Sequence, residues 1–592
     1  MRCPSPFPLC VPTQLSLSAS LRLTPKVGWL GLIAGCLLST LAPVARATST
    51  IEPPNCSSDQ VSVEQIYVTY GILERSVPVK ELKAYARDGT MGEYLSVYAR
   101  YAGAEELKQI RNILQAKADL RHEVIANFLY SPQGIELLKR VGQVIKPKSY
   151  QSDYRFIRGA VIEAAADPQG LTVFNFLCHF RSRGLQVDVQ RGLSIVGTLE
   201  NLITQTQKAS AAIVQQSQRE RSTNNGRSQP TADLNLAGPF TPEKQTLTLI
   251  DSSRQGLTPP ASRRLEVDVY LPTRRQRPVP NRLPVIVISH GLASDRKTFT
   301  YLAQHLASHG FAVLVPEHPG SNARQLAALF RGTASEVSEP SEFVNRPLDI
   351  TFLLNEIERQ ARDTVGLRGR LNLQQIGVIG QSFGGYTALA LGGAAINEKA
   401  LQKDCRDLEN TLNLSLLLQC RAAKLPLTEI AGLQDKRVKA VIALNPITSA
   451  VFGQTGISQI QVPTMIMTGN ADTIAPSLWE QIQPFTWLTT PNRYLVMMDG
   501  GTHFSALSGV DRGAGVLPIP IEVVGPNPAI ARRYVSALSL AFFKTYVANQ
   551  ANYRAYLSAG YANQISESPL PLSLVRSLTT DQLAIEATPN AQ

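Results

Sequence analysis

Residues 374–393 read QQIGVIGQSFGGYTALALGG. The apolar run Ile376–Ile379 predicts a buried strand, and the residues after Ser382 predict a helix. Between them stands Gly380-Gln381-Ser382-Phe383-Gly384. A G-x-S-x-G match by itself is weak, and its value comes from the strand-turn-helix setting. In a turn that tight, near neighbours have to be small. Gly380 and Gly384 lack the Cβ that would clash. Such a turn lifts the Ser382 hydroxyl above the sheet, at the start of a helix whose dipole favours negative charge.

Working outward, apolar runs and amphipathic segments alternate. TLTLID (246–251), RRLEVDVYLP (263–272), LPVIVISHG (283–291) and FAVLVPEHPG (311–320) read as strands before the Ser382 turn. VKAVIALNP (438–446), VPTMIMTGNAD (462–472) and RYLVMMDG (493–500) read as strands after it. With the strand before Ser382 these make eight. Helical patterns at 299–310, 347–362 and 529–548 lie between and after them. This alternation implies a mostly parallel sheet with helices on both faces. Ligands then bind beyond the carboxyl ends of the strands.

A serine needs a base at neutral pH. One histidine lies C-terminal to Ser382: His503, in MMDGGTHFSAL after the last of these strands. The acid belongs between them in chain order, and Asp472 follows the strand VPTMIMTG. The rival position after VKAVIAL carries Asn445, which is uncharged. Asp499 sits four residues before His503, at the strand end, where reaching the imidazole is awkward. Oxyanion donors are expected from the backbone N–H groups of Phe383 and of Leu292 in SHGLASD. His290 is expected to shape that loop.

The motifs HGL, GQSFGG, GNAD and GTH together resemble the α/β-hydrolase superfamily. HGL and G-x-S-F-G-G resemble its platelet-activating-factor acetylhydrolase and dienelactone-hydrolase-like branch. The resemblance covers about residues 244–548. It implies the nucleophile, base and acid Ser382, His503 and Asp472, with Leu292 and Phe383 at the oxyanion hole. Two departures stand out. Gln381 replaces the histidine usual in the acetylhydrolases, and the acid follows a later strand. Residues 60–205, with YVTYGILERSVPVKEL, FLYSPQGIELL and AAADPQGLTVFNFL, resemble a helical domain of unknown function found ahead of predicted hydrolases in cyanobacteria.

The rest of the chain sets the frame. Its 592 residues exceed one ordinary domain. Hydrophobic content of 44% and charged content of 18% fit a globular protein. The formal net charge is +12, but basic residues are scattered, so a nucleic-acid footprint is not expected. The basic balance still allows peripheral contact with an anionic lipid surface. An apolar stretch after Lys26 ends in Ala45-Arg46-Ala47 and reads as a secretory signal covering residues 1–47. It points to export, to a periplasm or beyond. Ile33-Ala34-Gly35-Cys36 offers a lipoprotein box as the alternative. Residues 48–205 read as an all-α domain. Within it, GEYLSVYARYAGAEELKQIRNIL (92–114) reads as one amphipathic helix. The polar residues 206–243 read as a flexible linker. The catalytic domain is placed at 244–548, with a cap insertion at about 395–436 and a tail at 549–592. Cysteines 405 and 420 bracket the cap segment CRDLENTLNLSLLLQC and are expected to pair. No Cys/His cluster suggests a metal, and Ser-His-Asp chemistry calls for no cofactor.

The expected function is hydrolysis of a small-molecule carboxylic ester, with lipid or short-acyl esters foremost. A serine peptidase of the same fold and a non-catalytic envelope binding protein are the alternatives. The sequence leaves the oligomeric state open.

Overall fold

A computed structural model describes residues 45–46, 56, 62–100, 103–118, 122–148, 153–223, 230–253, 262–273, 282–363, 369–408, 410–426, 432–508 and 524–583. The expected signal segment, including Cys36, lies outside these residues apart from Ala45–Arg46. Those two pair antiparallel with Lys117–Ala118. Among the described residues no helix is long and apolar enough to cross a membrane.

The first domain is mostly helical, and it also carries a four-stranded sheet. Its strands are β1 (Gln65–Tyr70), β2 (Leu73–Pro78), β3 (Ile145–Pro147) and β4 (Gly184–Asp188), in the order β2-β1-β4-β3. Helices α1 (Val79–Asp88), α2 (Glu93–Ala99), α3 (Ala104–Gln115), α4 (His122–Tyr130), α5 (Pro132–Val144), α6 (Tyr154–Ala166) and α7 (Val173–His179) complete it. The single helix expected over 92–114 is two. Gly103, extended at φ −75° and ψ 168°, caps the second. Cys56 and Cys178 form a disulfide in this domain.

The polar segment expected as a linker is largely folded, which corrects that expectation. A 35-residue helix, α8 (Val189–Thr223), runs out of the first domain. Its stripe Leu202, Ala209 and Ile213 is buried in the core of the second. Spacing of seven and four keeps these on one face. The Gln- and Ser-rich remainder of the helix hides that stripe in the composition. Beyond it, Leu234 and Phe240 are buried against the opposite face of the large sheet or beside it.

The second domain is built on nine strands rather than eight. They are β5 (Thr241–Asp251), β6 (Arg263–Thr273), β7 (Leu283–Ser289), β8 (Ala312–Pro316), β9 (Leu371–Gln381), β10 (Val438–Leu444), β11 (Thr464–Gly469), β12 (Arg493–Met498) and β13 (Leu572–Val575). Their order is β13-β12-β11-β10-β9-β7-β8-β6-β5. The central strands β8 to β12 and β7 pair in parallel, while β5, β6 and β13 add antiparallel edges. The expected tail therefore contributes the last strand of the sheet. Its register pairs Val575 with Leu495 and Leu572 with Met498.

Val287, Ile288, Val378, Ile379, Val441 and Ile442 of the central strands are buried on both faces. Each such side chain contributes about 1.5–3 kcal/mol by leaving water. After β7 the chain crosses to β8 on one side. It returns to β9 on the other. That reversal makes the carboxyl ends of β7 and β9 the topological switch point, where a ligand crevice is expected.

Candidate active site

Strand β9 ends at Gln381, and helix α12 (Phe383–Leu391) starts two residues later. Ser382 joins them at φ 55° and ψ −116°. A non-glycine residue there stores roughly 1–3 kcal/mol of backbone strain. The Ser382 N–H donates to Leu444 O at 2.9 Å, which ties the turn to β10. A Cβ on Gly380 would lie 2.1 Å from Gly384 O, and one on Gly384 would lie 2.0 Å from Ser289 O. Both positions therefore require glycine. This is the geometry of a nucleophile elbow.

Asp472 lies in the turn after β11 and His503 in the turn after β12. The His503 Nδ1 group donates to Asp472 Oδ2 at 2.7 Å. Asp472 Oδ1 accepts the Ile474 and Ala475 N–H groups at 2.9 and 2.8 Å. Asn445 Nδ2 donates to Oδ2 at 2.9 Å. Four donors converge on one carboxylate, which suits an acceptor-only group. With Nδ1 donating, His503 Nε2 is left to accept a proton.

The two loops meet because they cross at bare glycines. A Cβ on Gly469 would sit 2.2 Å from Gly501 O, and the Ala471 N–H donates to that same oxygen at 2.9 Å. No direct hydrogen bond joins Ser382 to His503 among the described residues. The link runs through the neighbouring Gln381, whose Nε2 donates to His503 O at 3.1 Å. Asp499 is turned elsewhere and accepts from Asn470 Nδ2 at 2.7 Å.

The loop after β7 carries Leu292. Ala293 beside it is left-handed at φ 56°, and its N–H donates to Ser321 O at 2.8 Å. The Leu292 and Phe383 N–H groups have no acceptor among the described residues. They follow the carboxyl ends of β7 and β9, the two neighbours at the switch point.

Comparisons with known proteins bear on the fold. A family described as α/β hydrolase of unknown function matches residues 62–188. The family of platelet-activating factor acetylhydrolase, isoform II, matches residues 263–362. A Thermobifida cellulosilytica protein named cutinase 2 is 24% identical over 288 residues, 47% of this chain and 74% of the relative. A Thermobifida fusca cutinase is 24% identical over 288 residues, with 47% and 61% covered. The platelet-activating factor acetylhydrolase of Cavia porcellus is 22% identical over 307 residues, with 51% and 66% covered.

The chain belongs to the α/β-hydrolase superfamily. Within it, residues 263–362 are similar to the platelet-activating factor acetylhydrolase family.

Around the elbow of this α/β-hydrolase lie residues that sequence reasoning passed over. Asn445 stands after β10, the rival position for the acid, and its amide donates to Asp472 after the next strand. It is left-handed at φ 42°, a conformation asparagine tolerates better than most residues. Gln381 bridges the His503 loop and the Gly291 loop. Its Oε1 lies 2.4 Å from where a Cβ on Gly291 would stand. No signal in one sequence marks these contacts, because each partner lies many residues away.

Behind the oxyanion loop is a second, fully buried polar cluster. The His290 Nδ1–H donates to Gly291 O at 2.8 Å, and its Nε2 accepts the His318 N–H at 3.0 Å. Burial and the nearby Arg346 charge push its pKa well below the usual histidine range, so the ring is neutral. His318 Nδ1 bonds Asp349 Oδ2 at 3.0 Å, and its Nε2 bonds Ser289 Oγ at 3.0 Å. Asp349 comes from α11 (Glu342–Asp363 of the chain order), α10 being Ala323–Phe330 and α9 Thr300–Ser308.

The cap insertion is anchored by one carboxylate. Glu480 lies on a π-helical turn, Leu478–Ile482. It accepts from Ser415 Oγ at 3.1 Å and Gln419 Nε2 at 2.9 Å, both in the cap. It also accepts the Thr448 and Ser449 N–H groups at 2.6 and 2.9 Å. Cys405 and Cys420 are disulfide-bonded. Leu416 and Leu418 of the cap are buried in the sheet core. The first domain packs over the same region. Val124 and Phe128 of α4 join an apolar cluster with Leu329, Phe330, Val337 and Leu292. Asn127 Nδ2 donates to Phe330 O at 2.7 Å, and Arg140 Nε to Leu408 O at 2.8 Å. Among the described residues, no group of three or more His, Cys, Asp or Glu is arranged to hold a metal.

Proposed function

We propose that this chain is a serine ester hydrolase working through Ser382, His503 and Asp472. One observation carries the reading. A strained serine follows Gln381, which bonds the carbonyl of a histidine whose Nδ1 is held by a carboxylate, and two acceptorless N–H groups stand at the switch point.

In this reading Ser382 Oγ attacks the ester carbonyl carbon, and its proton passes to His503 Nε2. The carbonyl oxygen becomes an oxyanion that accepts from Leu292 and Phe383 N–H. Each such donor is worth about 10²–10³ in rate. Collapse expels the alcohol, which takes the proton from His503. Water, deprotonated by His503, then attacks the acyl-enzyme and releases the acid. Asp472 holds the imidazole in the right tautomer and stabilises its charged form.

Relatives named as cutinases and as an acetylhydrolase favour esters over amides, and the acetylhydrolase name favours short acyl groups. The two disulfides favour an oxidising compartment, hence export. The test is turnover of p-nitrophenyl esters of two to twelve carbons beside matched anilides. Wild-type protein is expected to cleave esters and to be labelled by a fluorophosphonate at Ser382. Preferred anilide cleavage would favour a peptidase. Absence of both labelling and turnover would favour a binding protein.

A further inference from the structure

Arg346 of α11 has 0% of its surface exposed. Its Nη2 donates to the His290 carbonyl oxygen, two residues before Leu292. The same guanidinium lies over the Phe383 ring, its carbon 4.5 Å from the ring centroid. One side chain therefore touches both strand ends from which the oxyanion donors project.

The charge of Arg346 has no other evident use. Glu342 and Asp349, from its own helix, are both ion-paired with Arg263, at 2.8 and 3.0 Å. Arg346 forms no ion pair among the described residues, and its Nε and Nη1 have no hydrogen-bond partner. Burying a guanidinium without an ion-pair partner is strongly unfavourable. Burial lowers its pKa to about 9, with Glu342 and Asp349 opposing the shift and Arg263 adding to it. A cost of this size behind a reaction centre is what a site kept for function rather than stability looks like.

We propose that Arg346 is a positioning residue that sets the separation of the Leu292 and Phe383 N–H groups. It holds the carbonyl end of one loop and the ring of the other against a single rigid plane. Lysine cannot substitute, because it offers a point charge without the plane or the fork. This inference rests on the reading of those two N–H groups as the oxyanion hole.

The test uses the full chain and Arg346→Lys. Active sites are counted by fluorophosphonate titration, so that misfolded protein drops out. Per-site kcat is expected to fall roughly 10- to 100-fold, the scale of a misplaced catalytic group, with KM within about threefold. A trifluoromethyl ketone forms a tetrahedral oxyanion with Ser382, and its Ki is expected to rise in step with the loss in kcat/KM. Phe383→Leu keeps the N–H but removes the ring face. It should show a smaller loss of the same kind, and the double variant should be less than additive. If Arg346→Lys does not fold, Phe383→Leu against the ketone carries the test alone. Unchanged per-site kcat and Ki, with only a lower Tm, would make Arg346 a packing residue and overturn the inference. A wild-type protein that neither turns over esters nor binds the ketone would instead overturn the esterase reading beneath it.

Discussion

The catalytic domain holds two Ser-His-Asp chains, Ser382-His503-Asp472 and Ser289-His318-Asp349. In both, an imidazole Nδ1 meets a carboxylate, at 2.7 and 3.0 Å. In the second, Ser289 Oγ even bonds the far ring nitrogen at 3.0 Å. The carboxylates separate them. Asp349 is held at two points by Arg263, each contact 3.0 Å, so its charge is already matched. Asp472 accepts from neutral N–H groups besides His503. Among the described residues Asp472 pairs with no arginine or lysine, while Asp349 is already paired with Arg263. The serines differ as well. Ser289 closes an ordinary strand, whereas Ser382 is forced to φ 55°. Ser289, His318 and Asp349 are 0% exposed, against 8%, 5% and 6% for Ser382, His503 and Asp472. Three residue types in contact do not make a nucleophile. Backbone strain and a carboxylate without an arginine partner set Ser382 apart from Ser289.

The largest effect expected is from the serines. Ser382→Ala should lower kcat by about 10⁶-fold, the size typical when a triad nucleophile is lost. Ser289→Ala should stay within about threefold per active site, losing one hydrogen bond worth about 1 kcal/mol of stability. Mass spectrometry after fluorophosphonate treatment should find label on Ser382 and none on Ser289. Label on Ser289 would erase the distinction. Next come the acids. Asp472→Asn should cost about 10⁴-fold in kcat through the wrong tautomer. Asp349→Asn should instead leave Arg263 half-paired and destabilise the fold by about 3–5 kcal/mol. Denaturation midpoints measured beside titrated kcat values separate these outcomes.

Much of the first chain was legible because its parts carry local signals. A strand, two glycines and a helix flank Ser382, and His503 and Asp472 each follow an apolar strand. The second chain carried no such signal. His318, Asp349 and Arg346 are polar residues whose partners arrive from other elements. The same holds for Asn445, which looked like a missing acid until its side chain was seen on Asp472. At the level of the fold, periodicity found eight strands and missed β13, whose four residues are too few to show alternation. The stripe on α8 was diluted by glutamine and serine, so composition outweighed spacing.

Asn445→Asp offers a finer test of the Asp472 carboxylate. It sets a second acid against Asp472 Oδ2, where the asparagine amide now donates. Extra negative charge beside the His503 imidazole favours its protonated form. The acidic limb of kcat/KM should therefore move to higher pH. Activity at pH 8 should fall by less than about tenfold. An unmoved limb would mean that the base does not feel charge at this position.

The smallest effect lies in the stability of the second chain. Burial, with Arg346 next, lowers the His318 pKa to about 4, and His290 beside it is pushed well below the usual range. Unfolded histidine titrates near 6.5. Between those values the unfolded chain binds protons that the folded chain refuses, so stability falls as pH drops from about 6.5 to 4. Of the groups facing His318, Asp349 favours its proton, Arg346 and Arg263 oppose it, and the neutral His290 ring and the Ser289 hydroxyl also touch it. His318→Gln removes one of these titrations while keeping an amide that can reach Asp349 or Ser289. The fall in Tm of the catalytic domain from pH 7 to 4.5 should then be shallower by roughly 2–4 °C. The slope should not vanish, since His305, with a pKa of about 4, and His309 are also lowered by burial. Calorimetric melts across this range check it. An unchanged slope would mean that His318 already carries its proton in the fold, and the electrostatic contrast between the two chains would be lost.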